Sequence, residues 1–128
     1  MFSMDRSRQS CKRLVCCGVS DLIFATKIRG TAEALGIELQ IMPTATGLLA
    51  AIATDPDLFI VDLNLDAQDP VNLIRELRSQ APSIEIVAYV SHVQTELAAL
   101  ARLAGADRVL PRSQFTAELP TLLAGRAE

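Results

Sequence analysis

Aromatic residues make up only 4% of this 128-residue chain, with one tyrosine, Tyr89, and one histidine, His92. So few rings leave little to wall in a planar cofactor, and a histidine without a partner is a poor candidate for acid–base catalysis. Basic residues are not in excess, 12 Lys and Arg standing against 15 Asp and Glu for a formal charge of −3. A surface without surplus positive charge cannot neutralise phosphates, which argues against nucleic acid as a partner. No apolar run approaches the roughly 18 residues that a membrane helix needs. Met1 to Arg13 is polar and basic and lacks the apolar stretch of a signal peptide. A cytoplasmic location is expected, with no membrane contact. Cysteines number three, Cys11, Cys16 and Cys17. An odd count with no C-x-x-C or Cys/His metal spacing argues against a closed disulfide framework, so reduced thiols are expected.

What is present is apolar and aliphatic. Half of the residues are hydrophobic, the balance of helices packed on a buried sheet. The length suits one domain, read here as residues 13–128 behind a tail of residues 1–12, with no room for a separate output module. Leu14-Val15-Cys16-Cys17, Leu58-Phe59-Ile60-Val61 and Ile84 through Val90 are short apolar runs of the kind buried on both faces of a parallel sheet. Ile37 through Ile41 alternates as an edge strand does, and Val109-Leu110 is the shortest candidate. Helical spacing fills the gaps: Leu22, Ala25, Ile28, Ala32 and Leu35; Leu48, Leu49 and Ile52; Val71, Ile74 and Leu77; Leu97, Leu100, Ala101 and Ala104. Asp69 before Pro70 reads as an N-cap, Gly36 and Gly105 as C-terminal caps, and Ser91 with Gln94 as a capping box. Thr116 is expected to cap the last helix, with Pro120 in its first turn. Five strands alternating with five helices predict a flavodoxin-like three-layer sandwich, its parallel sheet in the order 2-1-3-4-5. Ligand chemistry in such a sheet collects at the carboxyl ends of strands 1, 3 and 4, just after Cys17, Val61 and Val90.

Asp62 closes the third strand in Leu58-Phe59-Ile60-Val61-Asp62-Leu63-Asn64-Leu65. Together with Pro70, Ala104-Gly105-Ala106-Asp107 and Phe115, this run resembles the response regulator receiver domain, from about Leu14 to about Leu123. The resemblance implies two-component signalling, a phosphorelay and Mg²⁺, and it places the phospho-acceptor at Asp62. It also implies an acidic pair after strand 1. That pair falls on Val19 and Ser20, or one residue earlier, where no acid stands. Asp21 is the nearest carboxylate and also suits the N-cap of helix 1, shared with Ser20. Asp21, Asp62 and Asn64 are weak metal ligands as a set, because Mg²⁺ demands several well-placed oxygens. The hydroxyl residue expected at the end of strand 4 falls on Val90, with Ser91 one residue out of register. The pocket lysine falls on Arg112, followed by Ser113 in place of proline, and the aromatic switch position falls on Val109. One element of five is intact, one is conservatively changed and three are replaced, which is the pattern of a pseudo-receiver.

Other chemistries fit less well. An aspartate-nucleophile phosphatase needs a second acid two residues after the nucleophile, where Asn64 stands, and Asp66 is out of phase. Gly18-Val19-Ser20 is too short for a flavin phosphate loop, and no G-x-S-x-G elbow is present. His92 reads as a loop residue, Cys16 and Cys17 as small buried hydrophobes, and Tyr89 as a residue packed at the edge of helix 4. The expectation is a stand-alone, non-enzymatic interaction module with weak or absent phosphorylation. It would meet a histidine kinase or an output protein, or a second copy of itself, through helix 4, strand 5 and helix 5 or through helix 1. The alternative is a phosphorylatable single-domain response regulator that uses Asp62.

Overall fold

A computed structural model describes residues 13–65, 69–90 and 95–125. Five strands form one parallel sheet: β1 Leu14–Gly18, β2 Glu38–Met42, β3 Leu58–Asp62, β4 Glu85–Val90 and β5 Arg108–Pro111. Their order is β2-β1-β3-β4-β5, as the alternating pattern predicts. β1 and β3 are neighbours, with Gly18 opposite Val61, and β3 pairs with β4 so that Asp62 lies opposite Tyr89. The central strands are aliphatic because both faces are covered. β3 is buried along its whole length, whereas β2, at the sheet edge, is only half-buried.

Helices α1 (Leu22–Leu35), α2 (Ala45–Ala50), α3 (Pro70–Gln80), α4 (Thr95–Ala104) and α5 (Arg112–Ala124) follow the strands in turn. Side-chain alternation splits the core in two. Val15, Cys17, Ile60, Val87 and Tyr89 face α1 and α5, meeting Phe24, Ile28, Phe115 and Leu119. Cys16, Phe59, Val61, Ile86 and Ala88 face α2, α3 and α4, meeting Leu48, Leu73, Ile74 and Ala101. The adjacent cysteines thus lie on opposite faces as free thiols, and burial pushes both upward from the ordinary thiol value. No helix of the described residues is long and apolar enough to cross a membrane.

The terminators behave as their chemistry requires. Asp69 accepts the Asn72 N–H at 3.0 Å ahead of Pro70 at the first helical position. Gly36 ends α1 in the left-handed region at φ 71°, its N–H pointing to the Ala32 and Glu33 carbonyls. Arg78, on α3, binds the carbonyls of Gly105, Pro82 and Ile84 and the Asp107 carboxylate. One side chain thereby ties the α3–β4 turn to the α4–β5 turn.

Three expectations are corrected. Helix α5 begins at Arg112, directly after β5, rather than at Thr116. Pro111 occupies the N-cap, and the Thr116 hydroxyl donates back to the Arg112 carbonyl at 2.9 Å instead of capping. Pro120 consequently lies inside the helix, at an exposed position. The helical segment around Leu48 stops at Ala50 and continues as a 3₁₀ turn, Ala51–Thr54, closed by Asp55 at φ 54°. Tyr89 does not pack at the edge of α4. It is 1% exposed on the α1/α5 side, because its pairing with Asp62 and Leu110 fixes the face it shares. The capping box of Ser91 and Gln94 lies outside the described residues.

Candidate functional site

The carboxyl ends of β1 and β3 meet where the topology changes direction. Beyond Gly18, the Val19 N–H reaches the Met42 carbonyl at 3.1 Å, which keeps Val19 in line with β1. Its side chain is 2% exposed and belongs to the apolar cluster around Phe24. The preceding position is closed to larger residues: a Cβ on Gly18 would lie 2.8 Å from a Leu48 methyl and 3.2 Å from one of Leu65. Ser20 is exposed and makes no cap. Asp21 alone caps α1, its Oδ1 accepting from the Ile23 and Phe24 N–H groups at 2.9 and 3.2 Å.

Asp62 closes β3 and is 7% exposed. Its Oδ1 accepts the Asn64 N–H at 2.8 Å and its carbonyl accepts the Leu65 N–H at 2.8 Å, a tight turn that points the chain away from the sheet. Burial raises the carboxyl above its ordinary value. The Asn64 N–H, the Arg112 charge and the Tyr89 hydroxyl oppose that rise, while the charge on Asp21 adds to it. The Tyr89 hydroxyl is buried and makes no hydrogen bond of acceptable geometry among the described residues. Burial, followed by the charge on Asp62, pushes its ionisation far upward.

Arg112 is the first residue of α5. Its Nη2 lies 2.8 Å from Asp21 Oδ2, and its guanidinium carbon sits 4.1 Å over the centre of the Phe24 ring. The Arg112 hydrogen bond is the main reason that Asp21 titrates below the ordinary carboxylate range, helped by the Phe24 and Ile23 N–H groups. Under the arginine, Phe24 meets Tyr89 edge-on at 5.1 Å and Phe115 at 5.9 Å, and Tyr89 stacks on Phe115 at 4.6 Å. Most of the chain's scarce aromatic residues therefore gather in one plug beneath the pocket.

The fold thus brings Val19, Asp21, Asp62 and Arg112 to one end of the sheet. Val90 is buried in the opposite cluster and Val109 packs with it, so neither presents a polar group. Ser91, His92 and Asp66 lie outside the described residues. The aromatic plug and the role of Phe24 were not foreseen, although Phe24 and Phe115 stand out among so few rings. A divalent cation does not fit the donor set. Both oxygens of Asp21 are engaged, Val19 is apolar and buried, and no group of three or more His, Cys, Asp or Glu among the described residues could hold a metal.

No family model and no curated protein matches the sequence. Solved structures do. NtrX from Brucella abortus aligns over 91% of this chain and 27% of its own length, at 24% identity and a TM-score of 0.79. A CheY-like response regulator receiver domain protein from Methanospirillum hungatei aligns over 91% of this chain and 94% of its own, at 20% identity and a TM-score of 0.79. The isolated receiver domain of NtrX gives 24% identity and 0.75 over 88% and 95%. The chain accordingly spans about a quarter of that NtrX chain and nearly all of the isolated receiver domains. With the sheet order and the position of Asp62, these likenesses establish that the chain has the fold of the response regulator receiver domain.

Proposed function

We propose that this chain is a pseudo-receiver: a cytoplasmic, non-enzymatic signalling domain that works by protein–protein contact, with phosphoryl transfer to Asp62 weak or absent. One observation carries the reading. Asp21, the carboxylate whose charge acts on Asp62 among the described residues, spends one oxygen on the start of α1 and the other on Arg112. An aspartate attacks phosphorus efficiently only when a divalent ion neutralises nucleophile and phosphoryl oxygens together, and among the described residues no group of carboxylates stands ready to hold that ion.

Exposed aliphatic side chains supply the means of contact. Leu22 and Ile23 open α1 at 82% and 86% exposure, and Leu103 on α4 is 85% exposed. Isolated apolar residues are normal on a surface, but a helix end carrying two of them is a natural contact point. A kinase, an output protein or a second copy of the chain is the class of partner proposed.

Incubation with acetyl phosphate and Mg²⁺, followed by intact-mass measurement, tests the reading. The expected outcome is an unchanged mass for the wild-type chain and for Asp62→Ala alike. Stoichiometric addition of one phosphoryl group, lost in Asp62→Ala, would establish the phosphorylatable alternative instead.

A further inference from the structure

A hollow lies at the opposite end of the sheet from Asp62, between the 3₁₀ turn that precedes β3 and the α3–β4 turn. It has a volume of about 520 Å³, and Ile52, Pro56, Pro82 and Ile84 supply its apolar wall. Two acids, Asp55 and Asp57, line it, and no Lys or Arg does. Among the described residues the Asp55 carboxylate has no hydrogen bond or ion pair. Arg78 reaches the same turn, but its guanidinium is spent on the Pro82, Ile84 and Gly105 carbonyls and on Asp107.

The chain enters β1 beside this hollow. The Leu14 N–H donates to the Asp57 carboxylate at 2.8 Å, the Leu14 carbonyl accepts the Asp57 N–H at 2.8 Å, and Leu14, Ile52 and Ile84 pack on the same half of the core. Residues 1–12 carry Arg6, Arg8 and Lys12 against one acid, Asp5, with Met1, Phe2 and Met4 as apolar side chains. Extended, the chain from Arg8 to Leu14 spans about 20 Å. β4 starts two strand spacings from β1, about 10 Å away, so both arginines are within reach of the hollow.

We infer that residues 1–12 are the occupant of this hollow, with Arg6 and Arg8 meeting Asp55 and Asp57 and the apolar side chains ahead of them covering the wall of Ile52 and Ile84. Tethering gives such a segment an effective concentration in the millimolar range, so surface ion pairs too weak to retain a separate peptide suffice here. The inference is independent of the reading of Asp62. It assigns the hollow to the chain itself, and a partner that offers a similar basic segment must compete for it.

A nitroxide label on Ser3→Cys in a Cys11→Ser chain tests the assignment by NMR on the whole chain, since Cys16 and Cys17 are buried and take no label. The Ala81 and Ser83 amides are expected to lose more than half of their intensity. Those of Glu38 and Gly125, which also border the exit at Arg13, should lose clearly less. Reversing the tail with Arg6→Glu and Arg8→Glu, a change outside the described fold, should abolish that contrast, as should about 0.5 M NaCl. Asp55→Lys should abolish it too, and combining the two reversals should restore it. Asp55→Asn tolerates the same left-handed backbone, at φ 54°, and should weaken the contrast if Asp55→Lys fails to fold. Equal broadening on all sides of the exit, or a contrast that survives either single reversal, would overturn the assignment. So would the same contrast in a mixture that carries the label and the observed amides on different chains, because a second copy would then supply the tail.

Discussion

The ring of Tyr89, the cross-strand partner of Asp62, stacks on that of Phe115 at 4.6 Å with the planes 26° apart, joining β4 to α5. Phe115 is fully buried, and Phe24 touches both rings. In a chain with so few aromatic residues, this trio contributes much of the packing on the α1/α5 side.

Phe115→Ala should therefore lower stability by about 3–5 kcal/mol, the range for emptying a closed aromatic site. Phe115→Leu keeps most of the volume and should lose clearly less. Urea unfolding followed by circular dichroism measures both, and the midpoint should fall while the slope stays constant.

Asp62→Asn should stabilise the chain at neutral pH. Burial lifts the Asp62 carboxyl above its unfolded value, so the ionised form is penalised in the native state. That penalty is absent below the unfolded pKa of about 3.9, appears as pH rises through the folded value, and persists at pH 7. Asparagine retains an oxygen for the Asn64 N–H and carries no charge. The variant is expected to exceed wild type by about 1 kcal/mol at pH 7, with the gap closing towards pH 3. Asp21 is shifted the opposite way by Arg112. Its stabilising effect is present above its unfolded pKa and fades as pH falls through its folded value, in both proteins alike. Thermal unfolding across this pH range reads out the difference.

Arg78 offers a contrast at the other end of the sheet. It binds three carbonyls and the Asp107 carboxylate, which also accepts the Ile86 N–H at 2.8 Å. Arg78→Met keeps the aliphatic stem but leaves these acceptors without the guanidinium. A loss of about 2–3 kcal/mol is expected, well above the effect of an ordinary surface change. Arg78→Lys should recover little, because an ammonium group cannot reach both turns at once.

The strands and most helix ends were legible in the sequence because each depends on local chemistry. Buried parallel strands must be aliphatic, Asp69-Pro70 can hardly avoid starting a helix, and Gly36 tolerates the backbone that ends one. The start of α5 was obscured because Ser113 and Gln114 resemble a loop, yet the spacing of Phe115, Leu119, Leu122 and Leu123 carries the helical face that the structure buries. Tyr89 was misplaced because which face a strand residue takes depends on register, and one residue of slip reverses it. Asp21 is seen as the N-cap of α1, the role its position before Leu22 suggests, though without Ser20. What the sequence concealed was the joint seat of Arg112 on Asp21 and Phe24, since residues 91 positions apart meet there only after folding.

The closed tip of β1 has a bearing on how this protein can change. An acid introduced at Val19 enters an apolar cluster with no partner prepared for it, and one introduced at Gly18 collides with Leu48 and Leu65. Either substitution loosens the native state before any ligand is gained. Placing acids at this tip therefore calls for several coordinated replacements rather than a single one.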